Sequence, residues 1–182
     1  GFLPRLSLVP LLIVAVGLVV WHPGQSNPIS SGLEGKLLDD LKSIAKEIMI
    51  DAKNCALITV DSSGIAYVRT MDPFLPEDNF TVWMGTKPKS LKVSQLQQNK
   101  QVTLYYFDQE NSSYVTLQGV ASIVNTPKEK EKYWKNEWKD FYKNRSTDYI
   151  LIKFTPKTAN VISEKHGVFG DSITWETPII KF

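Results

Sequence analysis

The chain has 182 residues, enough for one domain of ordinary size and too few for two. Apolar residues at 42% and charged residues at 22% exclude a disordered chain, a fibrous repeat and a polytopic membrane protein. Lys and Arg number 21 against 19 Asp and Glu, and the resulting +2 is too small for a nucleic-acid binder working by bulk charge. The single cysteine, Cys55, excludes an internal disulfide framework and any Cys-based zinc site, and His22 and His166 leave little for metal ligation or a Ser-His-Asp triad.

Leu6 to Trp21 is a charge-free apolar run preceded by Arg5. Its length falls between a secretory core of roughly 7–15 residues and a membrane span of about 20. Residues 1–26 are therefore expected to be a signal peptide or membrane anchor, which would place the folded part outside the cytoplasm. Residues 27–33, rich in Pro, Ser and Gly, read as a linker, and residues 34–182 as the folded domain.

Leu37, Leu38, Leu41, Ile44, Ala45, Ile48 and Met49 recur at helical spacing and predict an amphipathic helix over 34–53. Lys36, Asp39, Asp40 and Lys42 would form its solvated face. CALITV (55–60) and IAYVRTM (65–71) read as a hairpin closed at Asp61–Gly64, with Cys55 an inert core thiol. A two-proline loop (72–79), in which Glu77 and Asp78 read as polar surface, leads to a strand at 80–85 and a short helix within 86–99. Strands follow at 102–107 and 114–124. Thr126-Pro-Lys-Glu opens a second helix whose aromatic face would carry Tyr133, Trp134, Trp138, Phe141 and Tyr142. Two further strands, 148–156 and 158–163, precede short extended pieces at the end. Short links between neighbouring strands predict a mainly β (α+β) fold, an antiparallel barrel or sandwich with flanking helices.

Residues 86–92, Thr-Lys-Pro-Lys-Ser-Leu-Lys, bridge a strand end and a helix start. Free N–H groups there, the hydroxyls of Thr86 and Ser90 and the ammonium groups of Lys87, Lys89 and Lys92 all favour an anion, and Arg69 could add a planar guanidinium. Neither a Walker A nor a G-x-G-x-x-G pattern is present, so those nucleotide sites have no support.

The stretch TKPKSLKVSQLQQNKQV (86–102) resembles the phosphate-binding segment of the pyridoxamine 5′-phosphate oxidase-like, FMN-binding split-barrel family. CALITVDSSGIAYVRTM resembles that family's opening hairpin, and VTLYYFDQENSSYVTLQGVASIV its paired strands. KEKEKYWKNEWKDFY is similar to the Trp-containing helix of the general stress protein 26 branch. The resemblance implies an antiparallel split β-barrel, FMN as cofactor, and a homodimer sharing each flavin site. It implies that Arg69 and Lys92 pair the phosphate, that Thr86 and Ser90 add hydroxyl bonds, and that Thr70 and Met71 lie along the isoalloxazine edge. Leu91 stands where the oxidases usually place Arg, so one phosphate cation is missing or supplied by Lys89. The oxidases' C-terminal Arg-x-His motif is absent, which argues against pyridoxamine 5′-phosphate as substrate.

The implied function is FMN-dependent oxidoreduction of a small molecule, for which the protein needs no acid–base pair of its own. Tyr105, Tyr106, Phe107, Trp134 and Trp138 would roof the flavin or fill the core. A reading from another class is a non-catalytic secreted split-barrel module, and the N-x-[ST] sequons at Asn79, Asn111 and Asn144 suit it. A third keeps the fold but takes haem or a deazaflavin, with His166 as the folded part's candidate haem ligand.

Overall fold

Alternating buried and open positions along the β segments place one face of each strand in a core, and the computed structural model, which describes residues 28–182 with side chains from 35, shows that core. The strands are β1 (Cys55–Val60), β2 (Ala66–Met71), β3 (Val82–Thr86), β4 (Gln101–Asp108), β5 (Ser113–Val124), β6 (Ile150–Ser163) and β7 (Ile179–Lys181). Every pairing is antiparallel, in the order β2-β1-β4-β5-β6-β3, with β7 also on β6. The two ends of that order meet. Pro73, just past β2, bridges Met84 of β3, and the Phe74 N–H donates to the Trp83 carbonyl at 2.9 Å. The result is the antiparallel split barrel with flanking helices that the sequence predicts.

Leu57, Met84, Leu104, Leu117, Ile152 and Phe154 fill the barrel, fully buried. Helix α1 (Pro28–Ala52) covers it with Ala45, Ile48 and Met49, while Leu38, Leu41 and Ile44 pack at the margin. Leu37, expected on that face, is 70% exposed. The helix opens at Pro28, inside the stretch expected to be linker, and proline's fixed φ suits a first helical position. Cys55 is buried as expected, and burial pushes its thiol up to about 12.

Three elements differ from their expected form. Phe80 has φ 63°, which no strand accommodates, so β3 starts only at Val82. The two strands expected at 148–156 and 158–163 are one, β6, with a bulge at Lys157: Gln118 pairs Thr158 while Gly119 pairs Pro156. A proline is admitted to an interior strand at such a bulge. Gly119 is required there, because a Cβ would lie 2.2 Å from the Thr155 carbonyl oxygen.

The second helix is the third difference. Its helical part, α3 (Pro127–Lys132), follows α2 (Leu91–Gln98) in the chain and stops at Tyr133, where φ −105° and ψ 70° leave the helical region. Residues Asn136–Asp140 then form a short 3-10 turn. Of the aromatic side chains expected on one helical face, Tyr133, Trp134, Trp138 and Tyr142 instead build a second core with Trp83 and Tyr149, while Phe141 stays exposed. Distant partners hold the break: Lys135 Nζ reaches Asp72 and the Pro73 carbonyl, Trp138 Nε1 donates to Asp72 at 3.0 Å, and Tyr133 OH donates to Glu77.

The apolar run at Leu6–Trp21 lies outside the described residues. Among the described residues, no helix is long and apolar enough to cross a membrane.

Candidate functional site

The ends of β2 and β3 lie side by side, and α2 begins four residues after β3. Gly85 and Thr86 therefore share a rim with Thr70 and Met71. The Lys92 ammonium donates to Thr86 Oγ1 at 3.2 Å, and the Thr86 and Ser90 hydroxyls stand 3.1 Å apart. Ser90 occupies the N-cap position but makes no side-chain cap bond, so its hydroxyl is not spent on the helix. At the start of α2 the Ser90 N–H donates to the Lys87 carbonyl and the Val93 N–H to the Ser90 carbonyl, which leaves the N–H groups of Leu91 and Lys92 as the helix's orphan donors.

Arg69 lies behind this rim. Its Nη1 donates to Thr59 Oγ1 at 2.5 Å and to the Tyr67 carbonyl at 3.2 Å, and its Nη2 donates to Gln95 Oε1 at 2.8 Å. Thr59 Oγ1 also donates to Gln95 Oε1, at 2.7 Å. The amide oxygen thus accepts two bonds, while Gln95 Nε2 is buried without a partner. Burial, and then the Arg69 charge, lower the pKa of Lys92. Among the described residues neither cation makes an ion pair with a carboxylate. Two like charges held close, part-buried and unneutralised, are an arrangement that an anion completes.

The rim opens into a cleft of about 530 Å³, a size common for small-ligand sites. Thr70, Met71, Thr86, Lys87, Ser90 and Lys92 line one wall, and Asp72, Glu137, Trp138, Phe141 and Tyr142 the other, with Gly85 between. Glycine is needed at 85: a Cβ would sit 2.6 Å from the Trp138 ring, so only the bare backbone lets the indole reach the rim. Phe74 meets Trp138 edge-on at 5.4 Å and fixes it from behind.

Five of the residues expected at the site, Thr70, Met71, Thr86, Ser90 and Lys92, line this cleft together. Arg69 backs it through Thr59 and Gln95 rather than lining it. Lys89 is exposed and does not line it; Lys87 does. Of the aromatic set, Trp138 lines the cleft, Tyr106 is in the core, Trp134 packs in the second core, and Tyr105 and Phe107 stack 6.4 Å apart on β4. His166 is not at the cleft but 3.1 Å from Glu47 on α1. Glu77 is no loose loop carboxylate: it accepts from Trp83 Nε1 at 3.1 Å and from Tyr133. Among the described residues no cluster of metal-ligating side chains occurs. Gln95, Asp72 and Glu137 were not singled out from sequence, because polar residues on a helix or loop carry no pattern that marks them as inward-facing.

The split barrel, its unneutralised cationic rim and its cleft thus stand on adjoining elements. The chain belongs to the family described as pyridoxamine 5′-phosphate oxidase like, whose sequence profile matches residues 39–177. Similar solved structures agree. General stress protein 26 from Bacillus anthracis is 20% identical, with 80% of this chain and 98% of that one covered at a TM-score of 0.60. A Clostridium acetobutylicum protein related to general stress protein 26, of the pyridoxinephosphate oxidase family, is 19% identical over 81% and 95%, at 0.64. A pyridoxamine 5′-phosphate oxidase-related, FMN-binding protein from Nostoc punctiforme is 12% identical over 87% and 99%, at 0.56. No curated protein sequence matches the chain.

Proposed function

We propose that this protein is an FMN-binding flavoprotein, a homodimeric oxidoreductase acting on a small molecule. The observation that carries the reading is the pair Arg69 and Lys92, part-buried, unneutralised, and set beside the Thr86 and Ser90 hydroxyls. That donor set fits a phosphate monoester: it offers cations, hydroxyls and backbone N–H groups, while the cleft's carboxylates, Asp72 and Glu137, come from other elements. The unpartnered Gln95 Nε2 adds one more buried donor to the cluster. The Trp138 indole, which reaches the rim at Gly85, offers an aromatic face for a planar ring. That a structural relative is named as an FMN-binding protein supports the same cofactor.

In this reading Lys92, Thr86 and Ser90 hold the phosphate, while Arg69 adds positive potential from behind. Thr70 and Met71 offer an edge to the ring, and Trp138 closes the rim against water. FMN, when bound, supplies the hydride chemistry. The chain supplies position and field, in keeping with a cleft whose lining, among the described residues, includes no histidine or cysteine.

The homodimer is supported by the sheet's outer face, where Val68 is 66% and Phe107 49% exposed. Export or anchoring through residues 1–26 is supported by the charge-free run Leu6–Trp21. The test of the cofactor is direct. Purified protein mixed with FMN should show an oxidised-flavin absorption spectrum that stays with the protein through gel filtration. A colourless protein that ignores added FMN would remove the reading and leave a binding module without flavin.

A further inference from the structure

The cleft's two walls differ in kind. One carries Lys87 and Lys92; the other carries Asp72 and Glu137 among Trp138, Phe141 and Tyr142. Phe141 is 70% exposed although it lines the cleft, an apolar ring that none of the described residues covers. Asp72 is held by Lys135 and by the Trp138 indole N–H, so it is a paired carboxylate. The Tyr142 phenol is pushed up by burial first, and then by Tyr149 and Asp72. Glu137 is exposed and has no ion-pair partner among the described residues. An aromatic surface beside an unpaired carboxylate, Glu137, attracts flat cations, through stacking, ring quadrupole and charge together, and repels flat anions.

We propose that the wall formed by Asp72, Glu137, Phe141 and Tyr142 binds the second ligand of this cleft, a planar aromatic molecule that is uncharged or positively charged, and discriminates against carboxylate- or phosphate-bearing ones. The phosphate-binding wall and this one thus take different partners: an anion tail on the first, a flat neutral or cationic ring on the second. The term substrate for that ring rests on the flavoprotein reading; the binding preference does not.

Three probes of one shape test it: N-methylquinolinium as cation, quinoline as neutral ring, and quinoline-2-carboxylate as anion. Each is titrated by calorimetry and tryptophan quenching into the full chain, with and without saturating FMN, and FMN itself is titrated in parallel. The cation should bind at least about tenfold more tightly than the anion, a difference of about 1.4 kcal/mol. Glu137→Gln should shrink that ratio severalfold. Phe141→Ala should weaken cation and neutral ring alike, with the affinity for FMN unchanged. Equal binding of the three probes, or binding of none, overturns the proposal. So does displacement of the cation by FMN, which would show that this wall takes the cofactor's own ring. If FMN fails to bind while the charge preference and its dependence on Phe141 hold, the cofactor reading falls and this one stands.

Discussion

Glu77 shows how much one side chain can organise. Its carboxylate accepts from the Trp83 indole and the Tyr133 hydroxyl, and Tyr133 lies stacked on Trp83 at 4.3 Å. The Tyr133 bond is the largest cause that holds the Glu77 pKa below its ordinary value near 4.5. A carboxyl whose folded value is depressed contributes stability above its unfolded value, and that contribution is lost as pH falls through the folded value. Between about pH 5 and pH 3 the melting temperature of the native protein should therefore fall further than that of Glu77→Gln. Parallel decline of the two curves in thermal melts would show that Glu77 is not linked to folding. The sequence reads Glu77 only as polar surface, since its partners lie 6 and 56 positions away. The same limit explains Lys89 and Lys87. Spacing identified a cluster of cations at 86–92, and only the path of the turn decides which lysine meets the cleft.

At the scale of elements, strands were readable because alternation reports a half-buried sheet directly, and β1, β4 and β5 stand close to where that pattern puts them. The broken second helix was not readable. Its sequence from Pro127 to Tyr142 has helical character throughout, and what stops it is contact with Asp72, Pro73 and Glu77, more than 50 residues earlier. Tertiary contacts of that kind override local propensity. The β5–β6 bulge is likewise set by a cross-strand clash. Gly119→Ala would drive a methyl group into the Thr155 carbonyl and the Phe154 ring, neither of which can move without repacking the barrel. We expect a loss of about 1–3 kcal/mol, seen as a melting temperature several degrees lower. An unchanged melt would mean that the strands separate there at little cost.

For the whole molecule, the family profile spans residues 39–177 and every element among the described residues lies at or after Pro28. Deleting residues 1–27 should leave a soluble domain with an unaltered melting temperature. Aggregation or a markedly lower melt would make the apolar run part of the core and remove the export reading. The same shortened protein should sediment as a dimer at micromolar concentration. Val68→Asp, placed on the open sheet face, should shift it to monomer, and a wild-type monomer that retained FMN would contradict the shared site.

The cofactor site is tested most directly by titrating FMN and riboflavin into wild-type protein and Lys92→Ala. The Lys92 ammonium bonds Thr86 at the rim, where a phosphate would gain a charge-assisted bond of about 1.5–3 kcal/mol. Losing it should weaken FMN roughly 10- to 100-fold. Riboflavin, which lacks the phosphate, should bind the wild type weakly and scarcely respond to the substitution. Lys36→Ala, on the exposed face of α1, should change neither affinity. If FMN and riboflavin lose affinity equally in Lys92→Ala, or neither loses any, Lys92 does not hold a phosphate and the cleft is not the flavin site proposed here.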